Sequence, residues 1–134
     1  MSEMRDILND TVTRLFTDLV TRETFGDAES GTWPDQLWSA CVENGLTLAL
    51  VPEEKGGAGL GWADSFVIAR AAGYYGPPVP LVETMLGSWL LAEAGLEIPD
   101  GPLTVAPART DDNLQVSGNT VKGTAKAVPW GRHA

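Results

Sequence analysis

The spacing of apolar residues changes once along this chain, near residue 100, and that change constrains the fold more than any other feature of the sequence. Before it, apolar side chains recur at steps of three and four, the period that gives a helix one buried stripe. After it, polar residues alternate with small or apolar ones, the period of a strand. The charge shifts at the same place: 16 of the 18 acids but only 5 of the 9 bases lie in residues 1–100. A chain of 134 residues is of single-domain size and can bury a core without metals or disulfides. The expected class is therefore mainly α: a helical bundle over 1–101, then a short β-meander over 102–134 that begins a β-domain without completing it.

Residues 2–25 read as one amphipathic helix, with Met4, Leu8, Val12, Leu15 and Leu19 on a stripe widened by Ile7, Phe16 and Val20. The polar run 26–31 ends it. A second helix starts at Thr32-Trp33-Pro34-Asp35, where Thr32 suits the N-cap and Pro34 the first turn, and it stops at Asn44-Gly45. Leu37, Trp38, Cys41 and Val42 form its apolar face. A third helix covers about 62–74 and a fourth about 81–94, parted by Pro77, Pro78 and Pro80. The fourth carries only Glu83 and Glu93 as charges. Two helices so poor in charge exceed what one small core uses, so they predict a surface covering another domain or an apolar ligand. Beyond residue 101, Leu103–Ala108, Leu114–Ser117 and Thr120–Ala127 are candidate strands, with turns at Asp111-Asp112-Asn113 and Ser117-Gly118-Asn119.

The run Gly56-Gly57-Ala58-Gly59-Leu60-Gly61 invites a test for phosphate binding. Lys55 precedes the glycines instead of following them, with no Ser or Thr after it, so the P-loop order is missing. The dinucleotide spacing counted from Gly57 requires glycine at position 62, which is Trp62. The run is better explained as a tight turn that allows close backbone packing.

The net charge of −9 disfavours nucleic acid as a partner. No apolar run has the roughly 20 residues of a membrane helix, and the first residues have no signal-like apolar core, so the expected location is cytoplasmic. No Cys/His cluster has metal spacing, and no nucleophile elbow occurs. Cys41, flanked on its helix face by leucine and tryptophan, reads as a buried spacer, and Glu53-Glu54 as solvated acids. His133 is not placed to catalyse. No catalytic residue is assigned.

The segment Asn44-Gly45-Leu46, followed by Val51-Pro52-Glu53-Glu54-Lys55-Gly56-Gly57-Ala58-Gly59-Leu60, resembles the acyl-CoA dehydrogenase family. Members carry a helix ending in Gly-Leu, a short apolar stretch, and then Pro-Glu-Glu-x-Gly-Gly-x-Gly-Leu. The neighbouring order is similar, including the Pro34-Asp35-x-Leu37-Trp38 helix start. Val121-Lys122-Gly123 and Val128-Pro129-Trp130 resemble the strand that leads into the family's flavin site. The sequence departs from the pattern at Thr104-Val105-Ala106-Pro107, where members have Thr-Glu-Pro, and near Lys126-Ala127-Val128, where the Trp-Ile-Ser/Thr flavin contact is not reproduced.

The resemblance implies part of a flavoprotein of fatty-acid metabolism. Such enzymes take an α-proton from an acyl-CoA with a glutamate and pass the β-hydride to FAD. It covers only the front third or so of a member's usual length, and the base and the oligomer-forming bundle belong to the remainder. The resemblance therefore assigns this chain an acyl-pocket wall, at Glu83, Thr84 and Gly87 on the fourth helix, and a cofactor contact at Val128. It also implies a homo- or hetero-oligomer. The rival expectation is a non-catalytic helical module, or small subunit, whose apolar helices dock a partner chain.

Overall fold

The computed structural model describes residues 2–106 and 112–134. Expectations that fall on Pro107, Ala108 and Asp111 lie outside the described residues. Five helices come first, α1 (Glu3–Leu19), α2 (Arg22–Glu29), α3 (Asp35–Glu43), α4 (Trp62–Tyr75) and α5 (Leu81–Glu93), and then two strands, β1 (Asn113–Ser117) and β2 (Thr120–Thr124). The mainly helical class with a small β appendage is as the periodicity indicates.

The single helix expected over 2–25 is instead two. Ser2 caps α1, accepting from the Arg5 amide, and α1 ends at Leu19. Thr21 then caps α2 reciprocally: its hydroxyl accepts from the Thr24 amide at 3.2 Å, and the Thr24 hydroxyl accepts from the Thr21 amide at 3.2 Å. Two threonines three residues apart thus cap the start of a new helix reciprocally. α2 buries no residue.

α3 begins two residues later than its sequence suggests. Pro34 occupies the N-cap position and Thr32 makes no capping bond. Its end is as expected, with Asn44 at the C-cap and Gly45 left-handed at φ 70°. The apolar run after it forms a 3-10 turn, Leu46–Leu48, that packs against α3 and α5. The buried core gathers Val12, Leu15 and Phe16 of α1, Leu37, Trp38 and Cys41 of α3, Leu46 of the turn, Ile68 of α4, and Leu81 and Met85 of α5. α1 lies along α4, and Arg5 Nε donates to Asp64 Oδ1 between them at 2.6 Å. Both side chains are about a third exposed, so water screens this pair.

The glycine-rich turn packs as its composition suggests. A Cβ on Gly57 would sit 2.0 Å from the Val51 carbonyl oxygen, so only glycine lets the loop lie on the 48–51 backbone. Lys55 reaches from this loop to the last turn of α5, where its Nζ donates to the Ala92 carbonyl at 2.5 Å. A cation there meets the negative end of the helix dipole.

The β portion is a two-stranded antiparallel hairpin in register Asn113↔Thr124 through Ser117↔Thr120, and all ten of its residues are exposed. Residues 103–106 form no strand, so the expected three-stranded meander is a hairpin among the described residues. The reason is competition: the Leu103 amide is taken by a helix side chain, as described next, and is withdrawn from any sheet ladder.

Candidate functional site

Residues on α5 turn by about 100° per position, which puts two different surfaces on its flanks. Leu81, Ser88 and Ala92 point into the core. On one flank lie Thr84 and Gly87, and on the opposite flank Val82 and Leu86. Glu83 projects between the two, half-buried, with no ion-pair partner among the described residues.

Thr84 is 3% exposed, and its hydroxyl is fully employed. It donates to the Pro80 carbonyl at 2.6 Å and accepts from the Leu103 amide at 3.0 Å. One hydroxyl has one proton to give, so its 3.2 Å approach to the Leu103 carbonyl is a secondary contact. Gly87 serves the same junction. A Cβ there would lie 3.2 Å from Leu103 Cβ, tighter than ordinary packing, so glycine lets the 102–106 segment lie close on the helix. The next residue continues the strap, with Thr104 Oγ1 donating to the Pro129 carbonyl at 2.5 Å. Val128, half-buried, directly precedes Pro129 in the chain. The structure therefore brings Thr84, Gly87, Leu103 and Thr104 together and links them to the Val128 segment. Glu83 stays outside this junction.

The same terminal segment rests on Trp33, just ahead of α3. Trp130 meets Trp33 edge-on at 6.5 Å between centroids, and His133 stacks on Trp33 at 5.2 Å. This contact gives His133 a packing role that sequence position alone does not reveal.

The opposite flank of α5 faces α4 across a cleft of about 220 Å³ lined by Leu50, Trp62, Phe66, Val82, Met85 and Leu86, together with Ala69 and Ser65. Its rim is wet, since Trp62 is 56% and Phe66 63% exposed, and Trp62 packs edge-on against Trp89 at 4.9 Å. Ser65 is only 2% exposed, and its hydroxyl has no hydrogen-bond partner. Sequence reading does not single it out, because a lone serine in an apolar helix ordinarily bonds a carbonyl one turn back. Its missing partner is visible only in three dimensions.

The phosphate question is settled by counting donors in the glycine loop. The amides of Gly56, Gly57, Ala58, Gly59 and Leu60 donate to the carbonyls of Glu53, Pro52, Leu48, Val51 and Ala49 respectively. None is left to cradle a phosphate. Among the described residues no group of His, Cys, Asp or Glu could hold a metal ion, and no helix is long and apolar enough to cross a membrane.

Cys41 has no exposed surface, and burial pushes its thiol from the ordinary 9.0 up to about 12. Because the fold holds this proton more tightly than the unfolded chain does, the group's contribution to stability is intact below about pH 9 and is lost as pH rises toward 12. At pH 8 such a shift cuts the thiolate fraction about a thousand-fold. Labelling by Ellman's reagent at that pH is expected to be slower than in denaturant by at least that factor. A native rate near the denatured one would show that Cys41 is not held in this environment.

The described residues thus form a bundle of five helices carrying a glycine-packed turn and a short hairpin. The profile described as "Acyl-CoA dehydrogenase, N-terminal domain" matches residues 2–98, and the chain belongs to the acyl-CoA dehydrogenase family, a family of oxidoreductases. It is 32% identical over 102 residues to "Acyl-CoA dehydrogenase IpdE2" of Mycolicibacterium smegmatis (strain ATCC 700084 / mc(2)155), a match that takes in 74% of this chain and 33% of that relative. The chain thus spans about a third of the length of the curated relative. No solved structure matches it.

Proposed function

We propose that this chain is the N-terminal part of an FAD-dependent acyl-CoA dehydrogenase-like oxidoreductase, one that desaturates an acyl-CoA thioester between its α and β carbons. The observation that carries the reading is the family match over residues 2–98. In this reading residues 1–101 are the helical domain and 102–134 open a β-domain. The chain supplies interface and pocket wall, and the complete enzyme is a cytoplasmic homo- or hetero-oligomer.

The wall is assigned to Glu83, Thr84 and Gly87. Leu103 lies on two of these residues, so the surface offered to an acyl chain is a composite of α5 and the 102–106 segment. Glu83, free of ion-pair partners among the described residues, would set a polar limit to that surface.

In this reading the chain supplies one edge of a flavin site that the longer protein completes. The loop amides are spent on backbone carbonyls, and the Pro129 carbonyl next to Val128 is taken by Thr104. FAD is therefore assigned to the longer protein, with Val128 at its edge, and no catalytic step is placed on this chain.

The test compares two preparations. A longer protein containing this region is expected to purify with flavin absorbance and to reduce a dye acceptor with an acyl-CoA, while the 134-residue chain does neither. Colourless, inactive longer protein would sink the reading. The second reading, a non-catalytic module docking a partner chain, is favoured by the exposed apolar rim of Trp62, Phe66 and Leu90. It predicts a stable complex with another chain while flavin stays absent.

A further inference from the structure

We propose that residues 102–106 form a two-ended latch, which makes the Thr84 flank of α5 and the turn over residues 127–131 open and close as one unit. Leu103 hooks the helix at Thr84, and its neighbour Thr104 hooks the turn at Pro129. Thr84 is then a positioning residue for the turn, acting on it through the strap.

The strap has few anchors. Among the described residues no backbone–backbone hydrogen bond involves residues 102–106, and the segment follows Gly101, whose φ of 97° favours glycine. It is held by the Leu103 amide on the Thr84 hydroxyl at 3.0 Å, by the Leu103 side chain laid on Gly87, and by the Thr104 hydroxyl on the Pro129 carbonyl. The two hydrogen bonds belong to consecutive residues. Their α-carbons stand about 3.8 Å apart across a trans peptide, so one end cannot move far while the other stays.

The turn is the part that needs holding. Ala127 at φ 53° and Trp130 at φ 58° are left-handed without being glycine, a torsion that persists in such residues where surrounding contacts impose it. Pro129, between them, has its φ fixed by its ring, and its carbonyl is the atom that Thr104 grips. Trp130 and His133 also rest on Trp33. In this conformation the Trp130 carbonyl accepts from the amides of His133 at 2.9 Å and Ala134 at 3.2 Å. Once Thr104 lets go, Ala127 and Trp130 can relax, and those amides lose their acceptor. The consequence for function rests on the acyl-wall reading above: a chain entering against Gly87 displaces Leu103, and Val128 moves with the released turn.

Solvent exchange of single amides, followed by NMR in the full chain, reads both ends of the latch. No flavin or acyl-CoA is present, so the result is independent of what the longer protein catalyses. Thr84→Val removes the hydroxyl and keeps the side-chain shape. It is expected to speed exchange of the His133 amide about five-fold, the worth of one net hydrogen bond, although the change lies on α5. Thr84→Ser, which keeps the hydroxyl, should leave His133 near its wild-type rate. In the other direction, Thr104→Val should speed the Leu103 amide by a similar factor, since coupling between two sites is reciprocal. A His133 rate unchanged by Thr84→Val would overturn the latch, because the two ends would then open independently. Thr84→Ser as fast as Thr84→Val would place the effect in packing and overturn it too. If Thr84→Val fails to fold, Thr104→Val decides alone, since it lies outside the helices: an unchanged Leu103 amide there means that no latch exists.

Discussion

A chain carrying Gly57→Ala is expected to lose about 3 kcal/mol or more of stability, against about 1–2 kcal/mol for Gly56→Ala one residue earlier. The two glycines differ in kind. Gly56 is left-handed at φ 89°, and a Cβ there would meet nothing within 4 Å, so alanine costs only backbone strain. Gly57 needs no unusual torsion, but its Cβ would lie 2.0 Å from the Val51 oxygen and 2.5 Å from the Val51 carbonyl carbon. Both are backbone atoms of a residue with no exposed surface, so neither side can yield cheaply. Relief requires lifting the loop from residues 48–51. That motion breaks the bonds from Ala58 to Leu48, from Gly59 to Val51 and from Leu60 to Ala49. Each is worth roughly 1 kcal/mol net, and whole domains hold only about 5–15 kcal/mol. Urea unfolding followed by circular dichroism checks the order. A Gly57→Ala midpoint equal to that of Gly56→Ala would contradict the packing account.

This explains in physical terms why the Pro-Glu-Glu-x-Gly-Gly-x-Gly-Leu stretch of the sequence looks as it does. The second glycine admits close contact, the first and third adopt positive φ at 89° and 64°, and Lys55 ties the loop to the end of α5. The stretch joins the Leu46–Leu48 turn to α4 and is tied to the end of α5. Its glycines resemble a phosphate loop in composition only, because every amide from Gly56 to Leu60 already has a carbonyl.

Features governed by local rules were legible in the sequence. The end of α3 at Asn44-Gly45 and the proline break before α5 depend on torsions that few residues adopt, and both stand in the structure. The break between α1 and α2 was hidden because the apolar period runs on through Leu19 and Val20, while a Thr21–Thr24 reciprocal cap lacks the usual acidic partner. Leu103 read as a strand residue because alternation is local, whereas its actual partner, Thr84, is 19 residues away. The same holds for the candidate sites. α5 could be chosen from its low charge, and the resemblance selected Glu83, Thr84 and Gly87 along it. That Thr84 and Gly87 face a strap of the same chain, and that Ser65 lines a cleft without a partner, depends on helix placement that no single-sequence pattern encodes.

Phe16→Ala should cost about 3–5 kcal/mol, the largest loss expected from any single truncation in the helical unit. Phe16 has no exposed surface and packs at the α1–α4 seam, its ring 5.8 Å from that of Tyr75 at a tilt of 55°. Removing it leaves a cavity among Val12, Leu15, Ile68 and Ala71, which belong to different helices and cannot collapse together without moving α1 from α4. The Arg5–Asp64 pair across that seam does not compensate, since it is partly solvated and worth at most about 1 kcal/mol. Phe66→Ala is the control. It deletes the same atoms from the outward face of α4, where the ring is 63% exposed, and should shift stability by no more than about 0.5 kcal/mol. Thermal and urea unfolding of the two variants side by side therefore separate burial from side-chain identity. Equal losses would mean that the rim of the α4–α5 cleft carries structural load, and that its exposed aromatics are not held in reserve for a partner. A large loss at Phe16 with little at Phe66 would leave the cleft rim free to be altered without unfolding the bundle beneath it.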